Sequence, residues 1–517
     1  MSHHHAIAKS ASIIGMATFC SRLLGFCRDV VIARLFGVYV YAQAFVIAFK
    51  IPNLFRDLLA EGAANSAFVP VFSEYNIKHT KKEFWGLANV VLNILLLLLT
   101  ALTLIGIVFT PLIVRVIAPG FIADPFKLET TIRLTRIIFP YLLLISLAAY
   151  AMAILNSLKH FVVPAFAPCL LNISIIVFAL FFGEGIKGIA LGILVGGALQ
   201  LLIQIPVLYR KGFRLQLFKN FYHPAAKRIG KLLIPRIAST SIYQLNNFID
   251  SIFASLAFIV GEGGVAVMYF AYRLVQFPVG IFSNALSQAI LPTFSTQALE
   301  DNYSNLKRTF SWGLRTVFFI MLPVSVVFMV LSRQIIQSLF QGGRFDIYAT
   351  TQTADVLFYY SIGLFAYGAN KISQCCFFAL KDTATPANIS LVTLVVNIIL
   401  NIMLMFPLKV AGLALATSIS GIISFIILIL MLRAKIGRFG GWRILFSIMR
   451  ILAASILMGI ILFIVSRNVS LSVPLIEKVF LLTVFSSVGI ISYVIFCAIF
   501  GVVEMKELWN WMVVKRR

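Results

Sequence analysis

Charge is what this chain has least of. Only 12% of its 517 residues are Asp, Glu, Lys or Arg, where soluble domains carry about 25%. Acids are scarcer still, 18 against 43 Lys and Arg, for a formal net charge of +25. A conventional solvated surface is therefore excluded. The six cysteines (Cys20, Cys27, Cys169, Cys375, Cys376, Cys497) lack paired metal-ligand spacing and fall mostly in apolar stretches, so neither a disulfide nor a zinc site is expected. No G-x-x-x-x-G-K-[ST] loop occurs; "RIGKLL" at 228–233 lacks both the spacing and the hydroxyl, which excludes an ATP motor of that type. A D-x-D motif and a soluble catalytic domain are also missing, which counts against a metal-dependent nucleotide-sugar transferase. No small-residue cleavage site follows the first apolar stretch, so no cleavable signal peptide is expected, and His3 to His5 are left out of the reading.

What the chain does have is long apolar runs: 61% of residues are hydrophobic and the mean hydropathy is +0.99. Charge-free windows at 85–114, 137–158, 188–209, 274–299, 383–408, 410–432 and 479–503 each approach or exceed the roughly 20 residues that cross a bilayer as a helix. With shorter or interrupted runs added, the sequence predicts an all-α integral membrane protein of 14 transmembrane helices. Lys and Arg gather in the connections after even-numbered spans, as at Lys78 to Lys82, 210–231 and 433–438, while "GFIADPFKLE" and "GEGG" follow odd ones. The positive-inside rule then puts both termini in the cytoplasm. Anionic lipid against that basic face accounts for the net charge, so no nucleic-acid partner is expected.

An internal repeat organises these spans. Pro70, Gly120, Lys159 and Pro164 recur 222 residues later as Pro292, Gly342, Lys381 and Pro386. That offset covers six spans, an even number, so both copies insert the same way up. The expected organisation is an N-terminal lobe at 1–215, a parallel C-terminal lobe at 216–440, and two further helices at 441–517 that could wall a groove for a lipid tail.

Against that apolar background "SRLLGFCRDVVIARLFG" (21–37) stands out, with Arg22, Arg28, Asp29 and Arg34 in the first span. Arg34 can reach headgroups near the helix end. Arg22 and Arg28 sit in the middle, where a charge costs ~2.5–3.5 kcal/mol or more. Arg22 and Asp29 fall within about 20° of each other on a helix and Arg28 about 120° from Arg22, so one cavity takes all three if the helix bends, for which Gly25 is placed. The second span adds Lys50, Pro52, Asn53, Arg56, Asp57 and Glu61, and the eighth adds Arg273. The repeat puts Tyr243 or Gln244 opposite Arg22 and Ile249 or Asp250 opposite Arg28, so the fold itself does not require arginine there. Guanidinium groups bind phosphate in a planar, two-pronged way, which suits a polyanion such as a diphosphate. Structural ion pairs, Arg56 with Glu61 for instance, are the competing reading.

"SRLLGFCRDVVIARLFG", "AFKIPNLFRDLLAEGAANSAFVPVFSEY", "FPYLLLISLAAYAMAILNSLKHFVVPAFAPCLLNIS" and "YRLVQFPVGIF" resemble the MurJ (MviN) family of bacterial lipid II flippases, in the multidrug, oligosaccharidyl-lipid and polysaccharide exporter superfamily. The resemblance runs through essentially the whole chain. It implies a V-shaped cationic cavity between two lobes, and alternating access that carries lipid II, the undecaprenyl-diphosphate-linked peptidoglycan precursor, from the inner to the outer leaflet of the bacterial inner membrane. By motif position the substrate site falls on Arg22, Arg28, Arg56 and Arg273, with Asp29 as their partner; Ser21, Lys50, Asn53, Glu61 and Gln276 would support the cavity. Gln43 stands where many members carry an acid, and Tyr272 and Gln276 flank the eighth-span arginine in place of acids found in some. A sodium site would draw on Asp250, Asn397, Asn401 and Thr417, with interhelical hydrogen bonding as the plainer role for those residues. No cofactor is expected; sodium, protons or the membrane potential would supply the energy. Lipid II and membrane lipids are the expected partners of a monomer, alongside the peptidoglycan synthesis machinery. A flippase for another undecaprenyl-linked oligosaccharide, a drug/cation antiporter of the same superfamily, and a membrane enzyme acting on prenyl diphosphates stay open as alternatives.

Overall fold

The computed structural model describes residues 3–56, 67–183, 185–217, 220–467 and 475–505, with only the backbone described at 3–11, 55–56, 186, 234–243, 475–476 and 479. Among these residues the chain is helical throughout. The order is α1 (His3–Phe36), α2 (Val40–Arg56), α3 (Val69–Lys78), α4 (Lys81–Ile117), α5 (Pro125–Ile138), α6 (Tyr141–Ser157), α7 (Val162–Phe182), α8 (Ile186–Leu202), α9 (Ile205–Arg210) and α10 (Pro224–Ser255). There follow α11 (Ala257–Val260), α12 (Gly264–Pro278), α13 (Asn284–Gln297), α14 (Ser304–Val330), α15 (Ser332–Leu339), α16 (Ile347–Ile362), α17 (Leu364–Ala379), α18 (Ala384–Ile436), α19 (Gly441–Arg467) and α20 (Leu475–Ile499). Nine helical stretches among the described residues are long and apolar enough to cross a membrane; the charge-bearing α1 and α10 are not among them. Their outward faces are rich in Leu, Ile and Phe, as a lipid environment requires.

Two compact units divide the chain, Met1–Phe258 and Ile259–Arg517. The lobes expected at 1–215 and 216–440 rest on sequence equivalence, whereas this division reflects packing. In the first unit α10 lies against α4 and against the 3-10 turn Pro119–Ala123. Gly120 makes that approach feasible: its amide donates to Ser255 Oγ at 3.0 Å, and a Cβ there would stand 1.9 Å from the Ser255 carbonyl oxygen. α7 packs on α1 and α8, and α2 on α5. The α7–α8 contact is close because Gly192 faces Ile175, where a Cβ would come within 2.8 Å of the Ile175 Cα. The segment joining α9 to α10 is clasped by α4: Asn89 donates to the Arg214 carbonyl at 3.0 Å and accepts from the Gln216 amide at 2.8 Å, and Asn93 donates to the Gln216 carbonyl at 3.1 Å.

The second unit packs α14 against α17 and α19, and α18 against α16 and α17. Although α18 is unbroken in hydrogen-bonding pattern, it reverses at Lys409 (φ 53°, ψ −137°). The break falls between the charge-free windows 383–408 and 410–432, so α18 is two helices joined by a tight turn.

The 222-residue repeat has local counterparts in each unit. Asp124 accepts from the Lys127 amide to start α5, and Asp346, 222 residues on, accepts from the Ala349 amide to start α16. Lys159 and Lys381 both hold left-handed backbone, at φ 57° and 59°. Each ends its helix with the same bond pair: Lys159 N to Asn156 O and His160 N to Leu155 O in one, Lys381 N to Phe378 O and Asp382 N to Phe377 O in the other. This is the two-bond helix stop in which the left-handed residue is usually glycine.

Candidate functional site

In the first unit, Arg28 and Asp29 leave α1 as neighbours and fold onto each other. Arg28 Nε and Nη2 donate to one Asp29 carboxylate oxygen at 3.0 and 2.7 Å. Arg28 Nη1 donates to Asn172 Oδ1 on α7 at 3.0 Å. The guanidinium carbon lies 5.9 Å from the Phe45 ring centroid and 5.7 Å from that of Phe49, both on α2. Arg28 is 3% exposed and Asp29 1%. The cation is therefore matched on one edge by a carboxylate, on another by an amide oxygen, and flanked by ring faces, which compensates its removal from water.

Asn172 also braces α1 itself. Its Nδ2 donates to the Ser21 carbonyl at 3.1 Å, and its carboxamide lies in ordinary contact with Gly25, 3.6 Å from where a Cβ would stand. The expected bend at Gly25 is not a break: α1 is continuous from His3 to Phe36, because Gly25 serves as a flat seat for Asn172. On that helix Arg22 is exposed, more than a turn before Arg28, and Arg34 is half-buried.

On α2, Lys50 reaches α10. Its ammonium donates to the Asn247 carbonyl and to Ser251 Oγ, lies 5.4 Å from the Phe248 ring centroid, and feels the Asp250 charge. Asn53 is half-buried. Only the backbone of Arg56 is described, and Glu61 lies outside the described residues.

In the second unit, Arg273 on α12 is half-buried and donates from Nη2 to Tyr269 Oη at 3.0 Å, its guanidinium 5.1 Å from that ring centroid. Gln276 is exposed. The reversal of α18 brings Asn397, Asn401 and Thr417 together: Asn401 Nδ2 donates to Asn397 Oδ1 at 2.9 Å, and Asn397 Nδ2 faces Ser420 Oγ at 3.3 Å and Thr417 Oγ1 at 3.5 Å. Asp250 belongs to the first unit. Among the described residues no group of three or more His, Cys, Asp or Glu is arranged to hold a metal ion.

The model of the lipid II flippase MurJ family matches residues 32–485. A probable lipid II flippase MurJ of Buchnera aphidicola subsp. Acyrthosiphon pisum is 37% identical over 469 residues, 88% of this chain and 90% of the relative. The chain belongs to the MurJ family.

Lipid II flippase MurJ of Burkholderia cenocepacia is 32% identical over 426 residues, 81% of this chain and 82% of the relative. A solved structure of a lipid II flippase MurJ in an inward closed conformation is similar at TM-score 0.78 and 27% identity, covering 94% of this chain and 98% of that one. An inward-facing multidrug resistance transporter of the MATE family is similar in fold alone, at TM-score 0.64 and 17% identity over 81% of this chain and 96% of that one. Membership of the MurJ family makes the chain a transporter and not an enzyme.

Sequence reasoning missed Asn172, the residue that ties Arg28 to α7. The signal was present: within "CLLNIS" it is the one amide side chain of the 21-residue span Val162–Phe182. Tyr269 was missed for a different reason. Four residues before Arg273, it shares the helix face, but one aromatic in a span rich in them carries no distinguishing mark.

Proposed function

We propose that the chain is a lipid II flippase of the bacterial inner membrane, moving the undecaprenyl-diphosphate-linked peptidoglycan precursor from the cytoplasmic to the outer leaflet by alternating access. In this proposal the chain has 14 membrane-spanning helices, two parallel lobes of six plus two, with both termini cytoplasmic. Arg22, Arg28, Arg56 and Arg273 bind the diphosphate, Ser21, Lys50, Asn53, Glu61 and Gln276 line the cavity, and the prenyl chain stays in lipid. The observation that supports this most is the buried Arg28, which presents a two-pronged edge to a single Asp29 oxygen. A phosphate offers the same geometry with greater charge, so the incoming diphosphate displaces Asp29 and the carboxylate reclaims Arg28 after release. Asp29 thereby keeps the cation satisfied in the empty site, where an unpartnered buried charge would cost about 3–5 kcal/mol.

Energy comes from the membrane potential, about 2.3 kcal/mol per charge per 100 mV, or from a sodium or proton gradient, with Asp250, Asn397, Asn401 and Thr417 as the sodium ligands. The protein works as a monomer beside the peptidoglycan synthesis machinery. Complementation tests the function: the wild-type chain restores growth to a bacterium depleted of its own lipid II flippase, and Arg28→Ala does not. Translocation in liposomes distinguishes the alternatives. An enzyme alters the lipid covalently, an oligosaccharide flippase moves a different glycan, and an antiporter moves a cation; any of these without lipid II transfer would overturn the reading.

A further inference from the structure

A second polar site lies in the second unit, lined by none of the residues assigned to the substrate. A cavity of about 540 Å³ opens between α16 and the reversal of α18, lined by Gln352, Asp355, Tyr359, Phe358, Leu408 and Lys409. Asp355 and Lys409 are both exposed, and among the described residues neither makes a hydrogen bond or a salt bridge. Opposite charges on one rim that form no ion pair with each other can both turn to a ligand carrying both signs, although the Arg333 charge also reaches Asp355. The backbone reinforces this. Lys409 holds φ 53° and ψ −137°, a conformation that strains a non-glycine residue. Glycine would make the turn at lower cost.

The cavity's position narrows the ligand. A reversal between two apolar helices must lie at a membrane face, and Ile402, Met403 and Phe406 are exposed on the turn of α18 that leads to it. The ligand therefore has a polar head carrying adjacent anionic and cationic groups at the interface and an acyl chain below. We propose that this cavity binds the head group of a zwitterionic phospholipid with a primary ammonium, its phosphate on Lys409 and its ammonium on Asp355, with Gln352 and Tyr359 supplying further acceptors. The site is independent of lipid II binding and of the direction of transport.

Native mass spectrometry of the full chain, released from nanodiscs that contain no lipid II, tests the assignment. Three disc compositions serve as probes: phosphatidylethanolamine, phosphatidylcholine or phosphatidylglycerol. The wild-type chain retains phosphatidylethanolamine about tenfold over the other two, since one charge-assisted hydrogen bond is worth about that factor. Asp355→Asn brings that ratio to near one, and Lys409→Ala lowers retention of every phospholipid. Lys409→Gly does the same while raising the melting temperature by relieving the turn, which separates lost binding from lost folding. Equal retention of phosphatidylethanolamine and phosphatidylcholine by the wild-type chain, or an unchanged ratio in Asp355→Asn, overturns the proposal. A binding signal that appears only when lipid II is added would instead assign the cavity to the substrate's peptide and likewise overturn it.

Discussion

At the scale of single residues, Asn172 decides how Arg28 is presented. Removing its carboxamide takes a donor contact from a buried guanidinium and removes a bond between α1 and α7. Asn172→Ala should lower stability by about 1.5–3 kcal/mol, the usual range for a hydrogen bond to a charged group, measured as a lower melting temperature in detergent. Asn172→Asp should behave differently. A second carboxylate beside Arg28 holds the cation and repels phosphate but cannot donate to the Ser21 carbonyl, so the melting temperature falls less than in Asn172→Ala while lipid II binding is lost. Arg28→Lys should lose most binding despite keeping the charge, because an ammonium has no second prong. Arg22, Arg28 and Asp29 were conspicuous in the sequence because ionisable residues amid apolar ones are rare. Which cation would be buried and which exposed was not, since that depends on where α7 and α2 lie.

At the scale of elements, two contacts carry distinct expectations. Gly192→Val puts a side chain into the Ile175 backbone, and overpacking of that kind costs about 1–3 kcal/mol; the yield of folded protein should fall while a matching change at the unpacked Gly86, where a Cβ meets nothing within 4 Å, leaves it unchanged. The start of α18 is fixed electrostatically. Asp382 accepts from Lys435 Nζ at 2.6 Å and from the Thr385 amide at 3.0 Å, and these hold its carboxyl below the ordinary 3.8, down to about 2. A depressed carboxylate adds stability that is complete above the unfolded value and lost as pH falls through the folded one. Thermal melts of Asp382→Asn should therefore lie below wild type at neutral pH, with the gap closing between about pH 4 and pH 2. Helix ends of this kind were legible as repeated Gly, Pro and Lys positions; the left-handed conformation of Lys159 and Lys381 was not, because lysine rarely adopts it.

At the scale of the whole molecule, α10 is the element on which the two readings of the chain differ. Sequence equivalence assigns it to the second lobe, and packing puts it with the first, held there in part by Lys50 bonded to Asn247 and Ser251. If α10 moves with the C-terminal lobe during transport, that tie must break and re-form. Lys50→Met should then change the rate of lipid II translocation in liposomes while lipid II affinity stays within a fewfold of wild type. An unchanged rate would make Lys50 a packing residue only.

The sequence by itself determined the solvent, the helical class and the repeat. Each follows from properties additive along the chain: the hydropathy of a window, the sign of a loop, the recurrence of Gly120 as Gly342 and of Lys159 as Lys381. It also marked where the costly charges are. Only the tertiary structure decided their partners. Whether Arg28 meets Asn172 or open water, and whether Lys409 shares a cavity with Asp355, depends on segments over 50 residues apart packing side by side. Periodicity along one helix carries no information about which face of another will lie opposite it.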